Sequence, residues 1–134
     1  MMKLLFINIL FLAPILCMGQ KCKDLPNEFT SYADAMSQIY KSHFNFINSR
    51  SETIQSLSEK KNFKLVSASY YSCDKITGIA EFIFINRDIF LYEKIPMTIW
   101  NEYNKCISTD LYYENNILTK YRCIFKQLGS SSDL

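Results

Sequence analysis

The segment FTSYADAMSQIYKSHF, residues 29–44, places Phe29, Tyr32, Ala33, Met36, Ile39, Tyr40 and Phe44 on one stripe at helical spacing, which predicts an amphipathic helix. Ser31 is placed to cap its free amides, and Asp34, three residues on, suits the positive end of the helix dipole. From Asn48 to Asn62 the chain is polar, charged and free of glycine and proline, which predicts an exposed connection. The pattern then changes. LVSASYY, IAEFIFI and IFLYE are β-rich runs separated by SCDKITG and NRD, and they predict a three-stranded antiparallel meander with Gly78 relaxing its first turn.

A three-residue loop at Asn86, Arg87 and Asp88 would set Phe84 opposite Phe90, Phe82 opposite Tyr92 and Glu81 opposite Glu93. One face of the hairpin is then aromatic, and the other is aliphatic and ends in two opposed glutamates that need water between them. Pro96 lacks an amide donor but suits the first turn of a helix, so the third strand is expected to end at Ile95. The helix that follows carries Ile99, Trp100 and Tyr103 on one stripe. Phe82, Phe84 and Phe90 are expected as core beneath it, with the Tyr92 hydroxyl turned toward an edge; a stacking platform for ligands is the rival arrangement. Ser108 can cap a second short helix containing Tyr112, Tyr113 and Ile117, and Lys120 to Phe125 form a final extended run. The predicted class is α+β: an N-terminal helix, a three-stranded antiparallel meander, two short helices and a short terminal extended segment.

The amino-terminal stretch changes the setting. MMKLLFINILFLAPILCMG has one lysine, an apolar run from Leu4 to Cys17 and the small residue Gly19, the pattern of a secretory signal peptide cleaved after Gly19. The run is shorter than the roughly 20 apolar residues of a membrane span, so a secreted or periplasmic chain with no span in its mature form is expected. A lipid anchor at Cys17 is disfavoured by the bulky Leu16. Loss of Lys3 lowers the formal charge of +2 by one unit, which leaves little field to gather polyanions.

Cys22, Cys73, Cys106 and Cys123 remain, an even number that predicts disulfides in an exported chain, with three connectivities open. No CxxC pair accompanies them, so no metal site or cofactor is expected. His43 has no acid or thiol near it in sequence and is read as structural. Asp74, Glu81, Glu93 and Glu102 are the carboxylates that acid–base chemistry would draw on, yet no motif groups them, and no catalytic residue is assigned.

ASYYSCD, FLY, IP, IWNEY, STDLYY and KY follow one another in an order that resembles the KTSC domain, a small module found at the C-terminus of some lysyl-tRNA synthetases. The resemblance spans about Phe63 to Phe125. It places Phe90 and Tyr92 at the family's Tyr-x-Tyr motif, Pro96 and Trp100 at its Val-Pro and following aromatic, and Tyr113 and Tyr121 at its later tyrosines. These aromatics are candidates for core or binding surface. Asp110 and Glu114 stand where the family pattern has glycine and asparagine.

The implied organisation is a signal peptide at 1–19, an N-terminal helical extension and linker at 20–62, a KTSC-like domain at 63–125 and a polar tail at 126–134. Similarity to extended secreted members implies a Cys22–Cys73 bridge, and Cys106–Cys123 is expected as the second pair. The function expected is an exported non-catalytic interaction module for an envelope or extracellular protein or glycan. Single-stranded nucleic-acid (RNA) binding and a small hydrolase are the alternatives; the low net charge makes nucleic acid the poorer partner.

Overall fold

A computed structural model describes residues 22–52 and 65–129. The expected signal peptide at 1–19, residues 53–62 of the polar connection and residues 130–134 of the tail lie outside the described residues. Helix α1 spans Tyr32–Lys41 and starts as its sequence predicts, with the Ser31 hydroxyl accepting the Asp34 amide at 3.1 Å. It stops short of the apolar stripe's end because His43 takes a left-handed conformation, φ 71°, and donates its amide to the Tyr40 carbonyl. That corner sends the chain into strand β1, Asn45–Ser51. There follow β2 (Leu65–Ser72), β3 (Thr77–Phe84), β4 (Ile89–Pro96), α2 (Met97–Lys105), α3 (Thr109–Asn116) and β5 (Cys123–Gln127).

The strands form one five-stranded antiparallel sheet in chain order, with α2 and α3 inserted between β4 and β5. The expected three-stranded meander is therefore corrected: it is the centre of a wider sheet. Residues 45–51, read as helical extension and connection, pair with β2 from Asn45 opposite Ser72 to Ser51 opposite Ser67. Their sequence NFINSRS hides this because an edge strand needs hydrogen bonds from one neighbour alone and most of its residues face solvent. At the far edge, β5 runs past the expected end at Phe125 to Gln127.

The β3–β4 hairpin has a different register from the one its sequence predicts. Phe82 lies opposite Phe90, Ala80 opposite Tyr92 and Glu81 opposite Leu91. The loop is Ile85-Asn86-Arg87, closed by the Arg87 amide on the Phe84 carbonyl and the Phe84 amide on the Asp88 carbonyl, both at 2.9 Å. Arg87 supplies the left-handed residue, φ 73°, while the Asn86 side-chain oxygen accepts the Asp88 amide at 3.0 Å. A shift of two residues returns every side chain to its own face, so the aromatic face survives the correction. The opposed glutamates do not. Gly78, read as a turn residue, lies inside β3, where a β-carbon would stand 2.7 Å from the Tyr70 ring and also strike the Tyr71 carbonyl. Close approach of backbone and ring requires glycine there.

The sheet separates two cores. On one face Leu65, Ala68, Tyr70, Phe82, Tyr92 and Ile95 pack against Trp100, Tyr103, Tyr113 and Ile117 of the α2–α3 layer. On the other, Tyr71, Ile79 and Leu91 pack against Ala35 and Ile39 of α1, with Phe29, Met36, Phe44 and Phe125 around them. Ser108 caps α3 by accepting the Leu111 amide at 3.4 Å, as its position predicts.

Candidate functional site

The aromatic residues of the sheet and helices are mostly core. Trp100 is 1% exposed and stacks between Tyr70 and Tyr103, with centroid distances of 5.2 and 5.3 Å. Its indole N–H donates to Asn48 Oδ1 at 2.6 Å, tying α2 to β1. The Arg50 guanidinium completes that tie by donating to the Tyr103 and Cys106 carbonyls, each at 2.8 Å, where α2 ends and its free carbonyls favour a cation. Tyr70 donates its hydroxyl to the Ile95 carbonyl at 2.6 Å. Tyr92, expected to point at an edge, points inward instead, and its hydroxyl bonds that of Tyr113. Burial raises both hydroxyls above the ordinary tyrosine range, so each stays protonated and able to donate.

Phe84, Phe90 and Tyr121 are half-buried against this core. Phe84 and Phe90 meet at 5.3 Å with planes 89° apart, and Phe84 meets Tyr113 at 5.3 Å and 72°. These three rings line a cleft of about 430 Å³ between the β3–β4 loop and α3, with Leu118 on one wall. Its volume lies in the range of small-molecule sites, roughly 300–1,000 Å³. Asp88, Asp110 and Glu114 are its charged lining residues. Backbone amides orient two of them: Gly129 donates to Asp88 Oδ1 and Leu65 to Asp110 Oδ1, both at 3.0 Å. Asp110 and Glu114 of α3 therefore share one cleft. Sequence spacing puts them on one side of a helix; the facing hairpin loop is what spacing cannot supply.

The carboxylates singled out for acid–base chemistry are spread over the molecule. Glu81 is 4% exposed beneath α1 and accepts a hydrogen bond from the Tyr32 hydroxyl. Glu102 is exposed on α2 and accepts the Tyr112 hydroxyl at 2.7 Å. Asp74 and Glu93 do line one smaller cleft, of about 180 Å³, beside Cys22 and Lys94. Burial works to raise the Asp74 carboxyl, but amide donors from Ile76 and Thr77 outweigh it and hold the group below the ordinary carboxylate range. Glu93 is engaged by Arg122 at 3.6 Å.

Cys22 and Cys73 form a disulfide with Cα atoms 5.6 Å apart, joining the segment before α1 to the β2–β3 turn. The expected Cys106–Cys123 bridge is absent, and both residues are free thiols. Cys106 Sγ turns toward the end of α2, donating to the Tyr103 carbonyl at 3.0 Å, while Cys123 donates to Phe125 O at 3.2 Å from the edge strand. Burial raises the Cys106 thiol, with Arg50 opposing, which keeps it from being a ready nucleophile. Cys22, Cys73 and Asp74 are within ligand distance of one another, but a disulfide offers no thiolate to a metal. His43 is exposed at the α1–β1 corner and serves the backbone there.

The disulfide fits an oxidising, exported environment. No helix among the described residues is long and apolar enough to cross a membrane. No family model, curated protein or solved structure matches this chain.

Proposed function

We propose that the protein is a small non-catalytic interaction module, exported through an amino-terminal signal peptide to the envelope or the extracellular space, that captures its partner through the cleft between the β3–β4 loop and α3. The observation that carries this reading is the half-buried pair Phe84 and Phe90, set against the buried Tyr113, lining about 430 Å³ of cleft. Aromatic surface left accessible in a pocket, with a few oriented polar groups around it, is the usual composition of a binding site. A protein or a glycan of the envelope is the partner class proposed, and membership of the KTSC family is proposed on the order of the motifs. Phosphate-bearing partners are disfavoured by the carboxylates around the cleft.

The test is a fragment screen by nuclear magnetic resonance on the oxidised protein. Ligands are expected to shift the amides of Phe84, Phe90 and Tyr113 together, and Leu118→Trp, a change at a residue 47% exposed, is expected to block them while leaving the melting temperature near wild type. Fragments gathering instead around Asp74 and Glu93, with turnover of an ester or glycoside, would establish the hydrolase in its place.

A further inference from the structure

We infer that helix α1 is a releasable cover on its face of the sheet, latched jointly by the Cys22–Cys73 bridge and the Glu81 carboxyl, so that it lifts when the bridge is reduced and the carboxyl ionised together. The geometry sets a hinge and a free end. The carboxyl end of α1 runs through the left-handed His43 into β1, which is held along β2. The amino end has no such continuation, because residues 22–31 double back until the Lys23 amide reaches the Ser42 carbonyl at 3.4 Å. Cys22 is thus fixed beside the hinge, bonded to Cys73 of the β2–β3 turn. Tyr32, in the first turn of α1, is the clasp at the free end through its hydroxyl on Glu81.

The two fastenings act differently. The bridge keeps a lifted helix tethered through residues 23–31, which limits the chain entropy that lifting gains. Glu81 acts through charge. It is 4% exposed under the helix, and no cation among the described residues pairs with it. The titratable groups facing it are Tyr32 of α1 and Tyr71 of β2, with Tyr40 of α1 beyond them. Its strand neighbours are Ser69 of β2 and Leu91 of β4, and Phe125 of β5 closes against the Tyr32 ring. A protonated carboxyl is accommodated among these hydroxyls and apolar groups, whereas a carboxylate there has lost its water and kept one donor. Lifting α1 restores the water, so ionisation favours the lifted helix as pH rises above the ordinary carboxyl value of 4.5. The apolar contact beneath the helix, built on Ala35, Ile39, Ile79 and Leu91, is thin, and these two inputs weigh heavily in its docking.

Hydrogen exchange on the full chain, corrected for intrinsic rates, tests this at about pH 4 and about pH 8, with and without a phosphine reductant. The phosphine takes the oxygen of a water molecule to become its oxide, and the disulfide leaves as two thiols carrying that water's protons. Reduction alone and the higher pH alone are each expected to lower α1 protection about tenfold, and the two together about a hundredfold, with α1 falling ahead of β2–β4 throughout. Glu81→Gln is expected to abolish the pH factor and leave the redox factor in place. Tyr32→Phe keeps the ring but opens the clasp, and is expected to lower α1 protection about fivefold even at the lower pH. A pH factor that survives Glu81→Gln, or equal protection of α1 and β2–β4 in every condition, overturns the latch. So does an α1 whose protection neither input changes.

Discussion

On the face of the sheet covered by α2 and α3, the core is built from Tyr70, Phe82, Tyr92, Trp100, Tyr103 and Tyr113, whereas the face covered by α1 relies on Ala35, Ile39, Tyr71, Ile79 and Leu91. The first face carries its own polar satisfaction. Its hydroxyls and indole bond to Ile95, to Asn48 and to one another, so large rings are buried without orphaned donors. The second face is smaller and is held by two ties from α1 and the segment before it: the Cys22–Cys73 bridge and the Tyr32–Glu81 hydrogen bond. A thin core can thus hold a helix on a sheet when covalent and polar ties supplement its apolar area.

The sharpest way to break this comparison is Trp100→Ala. It removes the ring stacked between Tyr70 and Tyr103 and leaves Asn48 without its indole donor, and it is expected to cost about 3–5 kcal/mol in chemical denaturation. A loss under 1 kcal/mol would show that the aromatic face is not the stronger one.

Replacing both Cys22 and Cys73 by serine comes next. The bridge closes a separation of 51 residues, and its loss is expected to cost about 3–4 kcal/mol. Hydrogen exchange is expected to locate the damage, with α1 losing protection before the β2–β4 strands. Uniform loss across the sheet would make the two faces one cooperative unit.

A smaller effect separates the polar tie. Tyr32→Phe is expected to cost on the order of 1 kcal/mol. Burial raises the Glu81 carboxyl above its ordinary value of 4.5, with the Tyr32 hydrogen bond opposing. The folded protein therefore retains this proton where the unfolded chain has released it. The stability gained from it is present below 4.5 and is lost as pH rises through the folded value. Glu81→Gln is expected to flatten that decline in the denaturation midpoint. An unchanged slope would assign the pH dependence to other groups.

Phe90→Ala is expected to disturb folding far less than Trp100→Ala. The ring is half-buried at the cleft, so its removal is expected to cost about 1–2 kcal/mol, well below a fully buried phenylalanine. A cost matching Trp100→Ala would make Phe90 core rather than cleft wall.

Much of this architecture is legible in the chain, and the gaps have physical causes. Ser31 and Ser108 announce their helices because capping acts within a few residues, while Pro96, expected in the first turn of its helix, is the last residue of β4 and stands one position before α2. The β2–β4 runs announce themselves because their buried faces demand apolar residues. β1 does not, since Asn48 and Arg50 face α2 through polar side chains and the strand's hydrogen bonds come from β2. Arg87 in a left-handed conformation is a choice that residue type does not favour, and it moved the hairpin loop by one position. Glu81 reads as a surface acid until α1 folds over it with Tyr32. The cleft joins Phe84 and Phe90 to Glu114 across the hairpin and α3, a proximity set by tertiary packing. The free Cys106 and Cys123 show the same limit, since an even count of cysteines cannot say which thiols meet.

The placement of Trp100 also gives the molecule an optical signature. It is the chain's single tryptophan among nine tyrosines, and two of those lie in stacking contact with it. At these distances light absorbed by Tyr70 and Tyr103 is expected to pass to the indole, and the native protein is expected to emit as a buried tryptophan. Once the stack opens, the indole emission moves to longer wavelength and tyrosine emission emerges beside it. The aromatic face thus reports its own integrity in the indole emission of the unmodified chain, while the face beneath α1, with Tyr32, Tyr40 and Tyr71, holds tyrosines and no tryptophan.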